Sequence, residues 1–485
     1  MGIVQNQTFK NTIATYVGFG IGAINVLYFF PNYLSDEYFG LVAFILSSAN
    51  IMMPLFALGI QNTIIKFYSS FKTRNSINSF LTLMLIFPLF LIIPVGLIGW
   101  FSYDFIAEIL SSKNAIIKDY VWLIFASATC FAYFEIFYAW AKVQMQSVFG
   151  NFMKEVFHRL GVLILFIGIH FNFISYETFI YGVVIVYILR TIIMMVYAFN
   201  VKSPVLRFSK IPNLTSIIKY SLLIVIAGSV GSIILEIDKF MIGELKAIEN
   251  VAYYAVAIYI ASVIGVPSRS MLQITNPITA KLLNDKDIVG LDVLYKKSSV
   301  SLFIIGGLIF LLIVLNINQL YELIPEKFSG GLLVVFVVGI AKLVDNISGN
   351  NNAILFNSDY YRAVLGLGVF VAIITVVLNL VLIPKYDING AAIATFISIV
   401  VYNAIKLWFV YSKFKLSPFT SNTAKTFFLI LILIVVFYFW DFPFHPIINI
   451  GLKSVLIGLS YVTIVFKMNL SDDITLLLNK FLNKK

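Results

Sequence analysis

Fourteen apolar runs set the limits on this chain's fold. They lie at about 12–34, 39–60, 80–102, 119–141, 156–172, 176–199, 219–242, 252–278, 298–316, 331–357, 363–383, 390–411, 424–440 and 447–466. Each is close to the ~20 residues that a helix needs to cross the hydrocarbon core of a bilayer. Inside that core every backbone polar group must be satisfied within the protein, which leaves helices or a closed barrel. A barrel would show short segments of alternating polarity rather than continuous runs. The expected fold is therefore an all-α polytopic membrane protein with about 14 transmembrane helices. A 60% hydrophobic and 12% charged composition, with mean hydropathy +0.95, is far from that of a soluble domain. Residues 1–11 are short and polar with no clear cleavage site after them, so the first run is expected to remain as a span.

Charge then orients the spans. Of the 34 lysines and arginines, 23 fall in loops on the side of the amino terminus, 5 in the opposite loops and 6 within spans. Basic loops stay on the cytoplasmic side, so both termini are expected there. The net charge of +11 is thereby assigned to topology, and no nucleic-acid partner is expected. Trp100, Trp122, Trp140, Trp408 and Trp440 all fall near span ends, where amphipathic rings favour the interface. Outward loops are too short for an extracellular enzyme domain.

The basic stretch 200–219 separates six spans from six, giving lobes at 1–199 and 220–412, two further spans over 413–466 and a tail at 467–485. At an offset of 213 residues Pro54 matches Pro267 and Asn25 matches Asp238, a weak trace of internal repetition. The tail opens on Ser471-Asp472-Asp473, which suits a helix start. Ile474, Leu477, Leu478, Phe481 and Leu482 form an apolar face, and Lys480, Lys484 and Lys485 close it, as in an interfacial helix.

One run breaks the apolar rule. Between Leu332 and Phe356 lies Lys342-Leu-Val-Asp345-Asn346-Ile-Ser348-Gly349-Asn350-Asn351-Asn352. On a continuous 3.6-residue period Lys342, Asp345, Asn346, Gly349 and Asn352 share one side, with Asn350 at its edge and only Asn351 opposite. A stripe this polar must face protein or water.

Enzyme signatures are absent. His158, His170 and His445 are scattered, Cys130 is the single cysteine, and no metal site follows from either. No glycine-rich phosphate loop is present, and no cofactor is expected. What remains is intramembrane charge. Arg190, Arg269 and Lys342 lie deep in their spans, with Lys239 nearer the outer surface. Together with Asn350 they are the candidates for binding an anionic substrate. Lys342 could instead pair with Asp345, and Lys239 with Glu236, each at i, i+3. Lys406 and Lys453 are expected to snorkel to the interface. Glu135, Asp238 and Asp345 are the candidate sites for coupling to H+ or Na+, with a structural ion pair as the competing role for each.

The run Leu378-Asn379-Leu-Val-Leu-Ile-Pro384-Lys385-Tyr386-Asp387-Ile-Asn389-Gly390-Ala391-Ala392-Ile-Ala394-Thr395 resembles a hallmark of bacterial polysaccharide flippases, of the O-antigen and capsule kind. These belong to a superfamily that also contains multidrug exporters and peptidoglycan-lipid flippases. Phe30-Pro31 through Phe39-Gly40, and Asp238-Lys239 through Gly243 with Tyr253-Tyr254, resemble it too. Asp387 departs from the pattern, which usually has glycine there. The resemblance implies two six-helix lobes around a central cavity, plus two carboxy-terminal helices, in a bacterial cytoplasmic membrane. It implies translocation of undecaprenyl-diphosphate-linked oligosaccharide by alternating access, for surface polysaccharide such as lipopolysaccharide. The implied partners are the lipid-linked oligosaccharide, membrane lipids and polysaccharide polymerase machinery. An ion-coupled small-molecule exporter on the same fold is the first alternative, and a membrane polysaccharide polymerase or ligase the second.

Overall fold

A computed structural model describes residues Gly2–Leu482. Met1, Lys484 and Lys485 lie outside the described residues, as do the side chains of Leu477, Lys480, Phe481 and Leu482. The described residues are helical with no strand, and eleven helices are long and apolar enough to cross a membrane. The chain is a multi-pass membrane protein. It divides into two compact units, one ending at Ala255 and one beginning at Val256.

The first unit holds α1 (Gly2–Ile24), α2 (Asp36–Ala57), α3 (Arg74–Phe101), α4 (Val121–Lys142), α5 (His158–His170), α6 (Tyr176–Val201) and α7 (Leu214–Leu245). Ser35 caps α2, its hydroxyl accepting from the Tyr38 amide, and Asp36 and Glu37 meet the positive end of the helix dipole. Ala49 and Ala57 on α2 and Ala128 and Ala132 on α4 are buried in one cluster, where small side chains let the two backbones approach closely. The short fifth run is longer than α5 alone, because Val148–Phe152 and a π-helical segment, Met153–Phe157, lead directly into it.

α8 (Glu249–Ser262) crosses the division between the units. The second unit continues with α9 (Val266–Asn284), α10 (Ile288–Val314), α11 (Leu332–Ile347), α12 (Asn351–Asn357), α13 (Tyr361–Phe414), α14 (Ser421–Phe437), α15 (Pro446–Lys467) and α16 (Asp472–Leu482). α10 is its core. Phe303 and Phe310 pack with Ile430 of α14 and Tyr461 of α15, and the Tyr461 hydroxyl donates to Ile304 O at 2.9 Å. α13 carries two expected spans, joined at one non-helical residue, Asp387 (φ 51°, ψ −134°). That conformation favours glycine, which gives a physical reason for a glycine there in the flippase pattern. A Cβ at Gly390 would collide with the Leu382 carbonyl, so the helix after the turn packs back tightly on the one before it.

Two spans of the second unit are broken: one at Pro267, where a proline inside a span suggests a kink, and one within 331–357, against the expectation of a continuous helix. α8 and α9 are separated by a 3-10 segment, Val263–Gly265, just before Pro267. Proline has no amide hydrogen to donate and its ring crowds the carbonyl four residues earlier, so the α-ladder stops there. α11 and α12 are separated at Ser348–Asn350, where Gly349 takes a left-handed conformation (φ 55°).

Candidate functional site

The break between α11 and α12 falls inside the polar stripe and divides its residues by task. Breaking a helix at membrane depth frees backbone groups, each costing several kcal/mol if left unmet. Ser299 of α10 donates its hydroxyl to Ile347 O at 2.6 Å. Asn346, fully buried, donates its amide to Ile264 O at 2.9 Å, satisfying the 3-10 segment of the other broken span. Gly306 faces that Asn346 amide, and a Cβ there would overlap it. Asn350 donates to the Thr279 hydroxyl of α9. Asn351, expected opposite the stripe, is instead 1% exposed, because the break ends the 3.6-residue register on which that expectation rested. Asn346 and Asn350 thus knit two broken helices together, while neither polar atom of buried Asn351 has a hydrogen-bond partner among the described residues.

The charged residues form a second group. The Lys342 stem passes Gly265, its Cδ 3.6 Å from where a Cβ would stand. Arg269 is exposed one turn further along α9. A guanidinium at that depth is tolerated only towards water or protein, not lipid. Asp345 accepts from the Asn403 amide of α13 at 3.3 Å.

Lys406 completes the group and corrects an expectation. It does not snorkel: it is 1% exposed, its Nζ donates to Asn352 Oδ1 at 2.9 Å, and it lies 4.1 Å from the Tyr402 ring centroid. The readable signal was Asn403 three residues earlier on the same helical face. Lys453 is buried too, paired with Asp441 at 2.9 Å. Asp441 also accepts from Gln319 at 2.6 Å, so this network ties α15 to the segment before α11 and fixes structure.

In the first unit Arg190 of α6 is 7% exposed and sits among aromatic rings. Its Cζ is 4.1 Å from the Phe134 centroid, 4.8 Å from Tyr187 and 5.5 Å from Phe131. The ring faces offset part of the cost of burying the cation. Nε of Arg190 has no hydrogen-bond partner among the described residues. His158 stacks on Tyr187, with ring centroids 5.4 Å apart. Glu135, next to Phe134 on α4, pairs with Lys154 at 2.6 Å. Lys154 lies in the π-helical segment Met153–Phe157, and the Arg159 carbonyl just beyond it accepts from buried Asn25 at 2.8 Å. Asn25 itself opens a second π-helical segment, Asn25–Phe29. Such segments are rare and recur at functional sites.

The remaining candidates lie on α7. Lys239 is paired with Glu236, as its spacing allowed. Asp238, buried beside it, accepts from the Tyr254 hydroxyl at 2.5 Å. No group of His, Cys, Asp and Glu among the described residues could hold a metal ion. The structure therefore offers an aromatic-walled arginine in one unit, and in the other a cationic row of Lys342, Arg269 and Lys406 beside a carboxylate.

A family model described as polysaccharide biosynthesis protein matches residues 4–283. No curated protein matches the sequence. Among solved structures, the lipid II flippase MurJ in an inward closed conformation superposes with a TM-score of 0.72 at 14% identity, over 94% of this chain and 98% of that one. An outward-facing multidrug resistance MATE family transporter of the MOP superfamily gives 0.61 at 12% identity, over 84% and 95%. The Vibrio cholerae MATE transporter VcmN in its bent form gives 0.57 at 14% identity, over 85% and 98%. At these identities the likeness is one of fold.

Proposed function

The chain belongs to the polysaccharide biosynthesis protein family, and from that premise we propose that it is a flippase for undecaprenyl-diphosphate-linked oligosaccharide. It would carry the repeat unit across the bacterial cytoplasmic membrane by alternating access, with both termini in the cytoplasm, to supply surface polysaccharide synthesis and its polymerase. The observation that carries this reading is the cationic row in the second unit. Lys342, Arg269 and Lys406 lie at depths where an isolated charge is costly, and arginine matches the bidentate geometry of a phosphate. Arg190 adds a buried cation in the first unit with an unused Nε donor. A diphosphate is the kind of anion that lysine and arginine donors bind, while the polyprenyl chain stays in lipid. Asp238, Asp345 and Glu135 are then the acids available for coupling to H+ or Na+.

The likeness of fold to multidrug transporters supports a second reading, an ion-coupled exporter of small molecules. A site for organic cations would call for acidic walls, and the cationic row argues against it. The test is export in cells lacking the chromosomal copy and carrying Arg190→Ala or Arg269→Ala. Surface polysaccharide is expected to fall at least tenfold in each, the equivalent of about 1.4 kcal/mol, with membrane insertion unchanged. Normal polymer in both variants refutes the flippase reading. Altered drug resistance with normal polymer would establish the exporter.

A further inference from the structure

Between α9 and α12 lies a cleft of about 420 Å3, lined by Leu272, Asn276, Pro277, Asn352, Phe356 and Asn357. Its size falls in the ~300–1,000 Å3 range of small-molecule sites. Neither the helix breaks nor the cationic row accounts for it.

The hydrogen bonds already made around the cleft decide what it can still offer. Asn352 Oδ1 accepts one hydrogen bond from Lys406, and its amide nitrogen keeps both N–H donors. Asn357 Nδ2 gives one of its two hydrogens to Ala353 O at 2.8 Å, so Asn357 keeps one N–H donor and its Oδ1 as an acceptor. Asn276 is exposed and can do both. An anion needs donors alone, and a metal cation needs acceptors alone. A wall that mixes the two suits hydroxyl groups, which donate and accept at once. Phe356 and Pro277 supply flat apolar surface for the C–H face of a ring.

Position supplies the second argument. Arg269 and Asn276 lie two turns apart on the same face of α9, ~10.5 Å along its axis. A phosphate at Arg269 would therefore place the first groups attached to it close to the cleft. We propose that the cleft between α9 and α12 is a sugar subsite that takes one pyranose ring of the lipid-linked oligosaccharide while Arg269 holds its diphosphate. This rests on the flippase reading above and adds to it the residues that read the sugar.

The test uses full-length protein in lipid nanodiscs and two probes. One is lipid-linked oligosaccharide extracted from producing cells, and the other is undecaprenyl diphosphate, which lacks sugar. Asn276→Ala and Asn357→Ala should each weaken oligosaccharide binding by about 2- to 10-fold, as expected for one lost hydrogen bond, and leave undecaprenyl diphosphate binding unchanged. Asn276→Ser, which keeps a donor and an acceptor, should recover part of the loss. Equal weakening for both probes, or no weakening for either, overturns the subsite. Wild-type protein that binds neither lipid refutes the flippase reading itself, and the subsite with it.

Discussion

Lys406→Met separates a charge kept for substrate from a charge kept for the fold. The lysine is 1% exposed, and its contacts are one hydrogen bond to Asn352 at 2.9 Å and the Tyr402 ring at 4.1 Å. A hydrogen bond from a charged group contributes about 1.5–3 kcal/mol, and a desolvated cation–π contact about 2 kcal/mol. The substitution removes their sum, about 3.5–5 kcal/mol, together with the attraction of the ammonium to nearby Asp345. Against it stands the desolvation of a buried ammonium, itself several kcal/mol, which methionine of similar length does not incur. Asn352 is only half-buried, so water can replace the lost donor. The net change in stability should be near zero, and the melting temperature in detergent should stay within about 4 °C of wild type, a shift of no more than ~1 kcal/mol at ~2–4 °C per kcal/mol. Export of surface polysaccharide, by contrast, should fall at least tenfold. A melting temperature lowered by ~10 °C or more would mean that the contacts outweigh desolvation and that Lys406 holds the fold. Normal export at unchanged stability would remove Lys406 from the site.

Gly349→Ala should lower stability by about 2–5 kcal/mol, from the left-handed backbone and overpacking, since the new Cβ would lie 2.8 Å from the Ser299 backbone; a thermal melt checks it, and an unchanged melting temperature would show the break is not tightly packed. Asp387→Gly should raise stability by about 1–2 kcal/mol by relieving a positive φ that aspartate tolerates poorly, with export unaltered; a lower melting temperature would contradict the strain. In a Cys130→Ser background, single cysteines at positions 36 and 387 should react with a membrane-impermeant maleimide from outside, and one at 72 only from inside. The reverse pattern would overturn the orientation drawn from charge.

Much of the architecture was open to sequence reasoning because the bilayer imposes one dominant rule. A run of ~20 apolar residues has few alternatives to a helix, and the expected runs are helical here, two of them as broken helices. Even the short fifth run extends through a π-helical segment. Periodicity failed where a helix stops. Asn351 was placed on the wrong side because Gly349 breaks the register, and that break is worthwhile only because Ser299 and Asn346 are there to satisfy the carbonyls it and its neighbour expose. Snorkelling was the default for Lys406 because depth along a helix can be read from sequence, while the direction of a side chain depends on what packs beside it.

The stripe from Lys342 to Asn352 shows where the two kinds of information divide. Sequence alone determined that it lies within a membrane span and must face protein or water, since transfer free energy depends on residue type and depth. The tertiary structure decided that Asn346 and Asn350 join two broken helices, and that Asn352 gains Lys406 from another span. Those assignments depend on contacts between residues 54 or more positions apart, such as Asn352 with Lys406 and Asn346 with Ile264. A local pattern carries no record of such partners, because they are chosen by packing.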